Sequence, residues 1–158
     1  MTNLLDTIGV QITVIFMSMM PLIELRGAIP FGISLGLSPI NAAMIAFAGS
    51  MIPVPFILFA TRPIFNYLRK KKSFEKLIEK LTHRSMNHAG KGIIKYGILG
   101  LIIFVAIPIP GTGVWSGSLA ASVIDIRVKL AFPAIMIGNA LAAVQIMTLS
   151  HGVINILT

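Results

Sequence analysis

Two short stretches hold most of the residues that could do chemistry in an otherwise apolar chain. The first is P-L-I-E-L-R-G-A-I-P, Pro21 to Pro30, with an acid at Glu24 and a base at Arg26. The second runs from Ala106 to Ser118, A-I-P-I-P-G-T-G-V-W-S-G-S. A charge at hydrocarbon depth costs at least about 2.5–3.5 kcal/mol, so Glu24 and Arg26 call for an explanation. Glu24 is suited to binding a proton, as a proton-coupling group, or a cationic group, and Arg26 is suited to pairing with an anion. The structural alternative is an internal ion pair, either between these two residues or with Asp125 and Arg127. A third placement sets both residues in a loop at the water boundary.

In the second stretch, Pro108 and Pro110 cannot both lie inside a helix, since each lacks an N–H and clashes with the preceding turn. They fix a turn, and Gly111 and Gly113 let other atoms approach bare backbone. Gly111-Thr112-Gly113, followed by a short helix, offers N–H groups, a hydroxyl and the positive end of a helix dipole, which together attract anions. It is no nucleotide P-loop, because G-x-x-x-x-G-K-[ST] is absent. Gly117 is expected to let the two broken segments approach. Trp115 has two roles open to it, stacking on a substrate or anchoring at the interface. Asp125 and Arg127 flank the entrance to the last helix and are read as interfacial. The nine methionines are read as core filler, and His151 as interfacial.

The elements that must position these residues are set by an apolar composition. The chain has 158 residues, 56% hydrophobic and 11% charged, with a mean hydropathy of +0.90. Soluble domains carry about 25% charged residues, so this chain lacks the charge to cover a water-facing surface. The bilayer is therefore its expected solvent. With no cysteine, disulfide and thiolate chemistry are excluded. The opening M-T-N-L-L-D has neither a basic n-region nor a following cleavage pattern and is read as mature chain.

The whole net charge of +8 sits between Arg62 and Lys95. One short basic connection between apolar segments marks the cytoplasmic side. It does not point to nucleic acid, because aromatics are not interleaved as stacking platforms. Within it, Phe74, Leu77, Ile78 and Leu81 fall at helical spacing, opposite Lys72, Lys76, Lys80 and Arg84. Such a helix lies on an anionic leaflet or packs on its own protein. His83 and His88 form no convergent ligand set, and neither a metal nor another cofactor is expected.

The apolar segments divide the chain as a single membrane domain, with a first repeat over 1–61, a basic connection over 62–92 and a second repeat over 93–158. Leu4 to Met20 forms an arm, the chain turns near Glu24 to Gly27, and Phe31 to Leu37 returns as a half-helix too short to span about 30 Å. Ser38 and Pro39 start a spanning helix over Asn41 to Ala60, kinked at Pro53 and Pro55, with Gly49-Ser50 as a small packing face. The pattern recurs as an arm from Tyr96 to Ile107, a proline-glycine turn, a short segment from Trp115 to Ala121 and a span from Leu130 to Leu149. G-I-S-L-G at Gly32 to Gly36 parallels S-G-S-L-A at Ser116 to Ala120, and Gly49-Ser50 parallels Gly138-Asn139. A hairpin plus one span makes an odd number of crossings, so the units must be inverted relative to each other. The predicted fold is an all-α integral membrane protein, an inverted repeat of two re-entrant hairpins, each followed by a transmembrane helix.

P-L-I-E-L-R-G-A-I-P together with I-P-I-P-G-T-G-V-W-S-G, Ile107 to Gly117, resembles the small multidrug export family of prokaryotic membrane proteins. More distantly the chain is similar to the DedA superfamily, some of whose members translocate polyprenyl phosphate and other lipid carriers. The resemblance implies a site in which Glu24, Arg26, Gly27 and Pro30 match the first motif. Pro108, Pro110, Gly111, Thr112, Gly113, Trp115 and Gly117 match the second, with Arg127 a further candidate. It also implies a multi-pass protein of the prokaryotic plasma membrane.

Three readings of function follow. One is a small secondary exporter of amphiphilic or anionic small molecules, coupled to protons through Glu24. The second is a polyprenyl-phosphate or phospholipid translocase. The third is a non-transporting scaffold. An intramembrane enzyme is not expected, since H-E-x-x-H, G-x-S-x-G and a paired intramembrane aspartate are all missing. Expected partners are the lipid bilayer and a small-molecule or lipid-phosphate substrate, and so thin a bundle encloses a site more readily as a homodimer.

Overall fold

Prolines and glycines decide where most of the apolar runs stop being helical. A computed structural model of the protein describes residues 4–69, 96–109 and 111–157. Its helices, in chain order, are α1 (Leu4–Met19), α2 (Glu24–Ser34), α3 (Pro39–Met51), α4 (Pro53–Arg69), α5 (Ile98–Ala106), α6 (Val114–Val123) and α7 (Val128–Leu157), with no strand among the described residues. The expected amphipathic helix between Lys72 and Arg84, with His83 and His88, lies outside them, as does Pro110.

The first turn differs from the sequence expectation. It covers residues 20–23, directly after α1, so Glu24, Arg26 and Gly27 lie in the opening turn of α2 and not in the loop. Pro21 ends α1, whereas Glu and Arg are sound helix formers that need not break a helix when they can pair. Helix α2 runs 11 residues through Pro30, whose missing N–H leaves the Arg26 carbonyl without its usual helical donor. At about 1.5 Å per residue α2 is about 16 Å long, and α6, with 10 residues, about 15 Å.

The longer helices behave as their composition asks. Ser38 caps α3 by accepting the Asn41 N–H at 3.3 Å, with Pro39 in the first turn. The helix is interrupted at Ile52, immediately before Pro53, and resumes as α4, which extends past Ala60 to Arg69. Pro39–Thr61 is a 23-residue apolar stretch of mean hydropathy 2.0, and Val128–Gly152, within the 30-residue α7, is a 25-residue stretch of 1.8. Both are long enough to cross a bilayer. The surface agrees, with Phe16, Phe56, Phe59 and Leu149 each more than 60% exposed.

Two clusters form the interior. Val14, Leu25, Ile29 and Ala42 belong to one, built by α1, α2, α3 and α7. Leu58, Leu101, Val114 and Ile135 belong to the other, built by α4, α5, α6 and α7. The halves repeat the same contacts. A Cβ on Gly49 would meet Ser18 and the Ile15 carbonyl of α1, and a Cβ on Gly138 would meet Val105 and the Ile102 carbonyl of α5. Helix α2 ends with Gly36 at φ +92° and a Leu37 N–H to Gly32 O bond of 3.0 Å; α6 ends with Asp125 at φ +62° and Ile126 N–H to Ala121 O at 2.9 Å. Gly36 with Asp125, Gly49 with Gly138 and Ser50 with Asn139 all share one spacing, the 89 residues that separate the last pair.

That register corrects one match made from the letters. Gly32 corresponds to Ala121, so G-I-S-L-G and S-G-S-L-A are not equivalent, while Gly49-Ser50 and Gly138-Asn139 are. Ser50 and Asn139 also touch: the Asn139 amide donates to Ser50 Oγ at 2.8 Å, joining α3 to α7 in the buried interior.

Candidate functional site

The start of α2 and the turn between α5 and α6 meet, and the ion pair of the first is seated in the second. Arg26 Nη1 donates to Glu24 Oε2 at 2.6 Å, the pairing of these two residues with each other. Their side chains are only 14% and 8% exposed. Neither stops at its partner. Arg26 Nη2 also faces Ile107 O at 2.9 Å, Thr112 Oγ1 at 3.1 Å, Thr112 O at 3.2 Å and Val105 O at 3.4 Å. Glu24 Oε1 accepts the Trp115 backbone N–H at 3.3 Å.

Helix-end electrostatics explain the arrangement. Val105 lies in the last turn of α5, where carbonyls lack helical donors and the dipole is negative, and the Ile107 carbonyl follows it. Trp115 lies in the first turn of α6, where N–H groups are free and the dipole is positive. The guanidinium therefore sits at the negative end of one broken helix and the carboxylate at the positive end of the next. Glu24 holds this position at φ +50°, a left-handed conformation that costs of order 1–3 kcal/mol and persists where its surroundings over-determine it.

This geometry takes up two of the donors that the Gly111–Gly113 turn and the helix after it were expected to present to an external anion. The carboxylate of Glu24 already fills the start of α6, and the Thr112 N–H bonds Ile109 O at 3.2 Å. What the turn presents is oxygen. Gly111, exposed at φ +90°, supplies the left-handed residue that brings Thr112 back over Ile107. The Thr112 hydroxyl is within hydrogen-bonding reach of Ile107 O at 2.7 Å and Ile109 O at 2.8 Å. Gly113 leaves room for the Glu24 carboxylate, which a Cβ there would overlap.

The other sequence candidates separate. The Trp115 indole N–H donates to Met19 O at 3.1 Å, pinning the end of α1, so this side chain joins the turns. Pro108 is exposed in the same loop. Gly27 packs against Ile23, and Pro30 lies mid-helix in α2. Gly117 does not bring the two hairpins together: a Cβ there would meet Val105 Cγ2 at 2.5 Å, so it lets α5 and α6 of one hairpin approach. Arg127, exposed just before α7, is not among the partners of Glu24 or Arg26. Sequence reasoning missed the carbonyls of Met19, Val105 and Ile107, and the close approach of the Thr61 and Ser122 hydroxyls at 2.7 Å between α4 and α6. Backbone atoms carry no letter, so only the unpaired ends implied by Pro108 and Pro110 could have pointed to them.

Described residues that hold helices but no strand, an apolar exterior, two apolar stretches of spanning length and a buried ion pair at broken helix ends mark a membrane protein. A family model described as "Putative small multi-drug export protein" matches residues 24–144, most of the chain, and the chain belongs to that family. The match begins at Glu24 and includes the whole oxygen-rich turn. No curated protein and no solved structure matches the chain.

Proposed function

We propose that the protein is a small secondary transporter that exports amphiphilic molecules through a site between two re-entrant hairpins related as an inverted repeat. The observation that carries the reading is Arg26, bonded to Glu24 on its own hairpin and to Ile107 and Thr112 on the other. Broken helices meeting at mid-membrane are the recurring site architecture of secondary transporters. The shared register of the helix ends and of Gly49-Ser50 with Gly138-Asn139 supports the repeat. Opening such a site requires the hairpins to part, and the ion pair is the polar tie that must yield. Glu24 is the proton-coupling group in this proposal, because protonation removes the charge that holds Arg26. The basic connection over 62–92 faces the cytoplasm, and the membrane is the plasma membrane of a prokaryote.

The lipid-phosphate alternative needs an arginine and backbone donors open to an anion; here Arg26 and the Thr112 and Trp115 N–H groups are engaged within the protein. Purified full-length protein in liposomes, loaded with a fluorescent amphiphilic cation, tests the transport reading. Export should fall at least about tenfold in Glu24→Gln and in Arg26→Gln, with Gly9→Ala, whose Cβ meets open space, as the control. Export unchanged in both variants would leave a scaffold as the better description. Binding of labelled polyprenyl phosphate that is lost in Arg26→Gln would restore the lipid reading.

A further inference from the structure

Arg26 is a poor fit to the oxygens that surround it. The two hydrogens of Nη2 face four acceptors, Val105 O, Ile107 O, Thr112 O and Thr112 Oγ1, and two hydrogens cannot satisfy four oxygens at full strength. At the same time the Arg26 Nε is buried with no hydrogen-bond partner among the described residues. A buried donor without an acceptor costs about 1–3 kcal/mol. A surplus of acceptors beside an idle donor is what a tethered ligand shows when its tether prevents it from centring. The oxygens are also tied to one another, since the Thr112 hydroxyl reaches Ile107 O and Ile109 O and Gly111 turns the chain back between them.

We infer that this cage of carbonyl oxygens, the Thr112 hydroxyl and the Glu24 carboxylate is a binding site for a planar organic cation of the guanidinium class, taken up in exchange for Arg26. The ligand chemistry follows from the cage. A guanidinium presents hydrogen-bond donors in one plane, pairs bidentately with a carboxylate and is more weakly hydrated than an ammonium. A free one can rotate so that each N–H meets an oxygen. The turn also exposes apolar surface: Ile107 and Ile109 are 39% and 55% exposed. An alkyl or aryl substituent on the cation would rest there, making the ligand amphiphilic. When the cation enters, Arg26 leaves, and the bonds it made to the opposite hairpin go with it. Binding and release of the tie are then one event, and this part of the inference rests on the transport reading.

The test uses purified full-length protein with guanidinium and phenylguanidinium at low millimolar concentration, far below denaturing levels. Sodium and tetramethylammonium at equal ionic strength are the controls. In Arg26→Ala, whose cage is vacated, guanidinium should raise Tm by about 3–6 °C at ten times its dissociation constant. Wild type should respond only at higher concentration, because Arg26 competes. Glu24→Gln added to Arg26→Ala should weaken binding at least about tenfold. Should Arg26→Ala fail to fold, Arg26→Lys keeps the charge but not the planar fork. In that variant fluorescence of Trp115, the only tryptophan, should respond to guanidinium at lower concentration than in wild type. Equal responses in wild type and variant, or equal effects of guanidinium and tetramethylammonium, overturn the inference. Guanidinium binding without any export by wild-type liposomes would keep the cage and remove the transporter. Export of other amphiphiles without a guanidinium response in the variants would do the reverse.

Discussion

Gly113→Ala separates this site from an ordinary turn more sharply than any other single change. Gly113 has φ −90°, a conformation open to any residue, so the backbone raises no objection to alanine. At such positions Gly→Ala stabilises by about 0.4–1 kcal/mol, through loss of freedom in the unfolded chain. Here the added methyl would overlap the Glu24 carboxylate. Moving that carboxylate is sterically cheap but breaks its bonds to the Trp115 N–H and Arg26. Two hydrogen bonds to a charged group contribute about 1.5–3 kcal/mol each, so the net result is destabilisation of about 2–5 kcal/mol. For a chain of this size that lowers Tm by about 4–20 °C. Thermal unfolding of Gly113→Ala, Glu24→Ala and the double variant forms a cycle that isolates the clash. Once Glu24 is truncated the methyl has nothing to displace, and Gly113→Ala should become neutral or stabilising. If Gly113→Ala costs the same with and without the Glu24 carboxylate, the seating of that carboxylate at the start of α6 is wrong.

Further outcomes follow from the same contacts. Gly138→Ala would place a methyl 2.6 Å from the Ile102 carbonyl, a backbone atom that cannot swing away. It should therefore destabilise by about 1–3 kcal/mol in thermal unfolding, whereas Gly9→Ala should not. Ser50→Ala removes the acceptor of the buried Asn139 amide and should cost about 1–3 kcal/mol, with Asn139→Leu in the same background recovering part of it. Asp125→Gly relieves a left-handed residue at the end of α6 and should stabilise by about 0.5–1 kcal/mol, measured the same way. Transport by Glu24→Gln in liposomes should lose its dependence on pH, and an unchanged profile would end the role of Glu24 in proton coupling.

Much of this molecule is written in local terms. Hydropathy along the chain marks the two described stretches long and apolar enough to span, because length and composition are local properties of the chain. Ser38-Pro39 announces the start of α3, and Pro53 its interruption, because a missing N–H acts within one turn of its own position. Glu24, Arg26 and the proline-glycine turn stood out because charge and broken backbone are both costly in an apolar chain. Their meaning was another matter. From the letters, Arg26 could pair with an anion or with Glu24, and Gly111 to Gly113 looked like donors to an anion. Only the folded chain brings the negative end of α5 to Arg26 and the positive end of α6 to Glu24, across a separation of 79 to 91 residues. Those partners are mostly main-chain atoms, which every residue possesses and no letter distinguishes. Hydropathy and helix breaks follow from neighbours along the chain, but which charge meets which helix end is decided by tertiary packing.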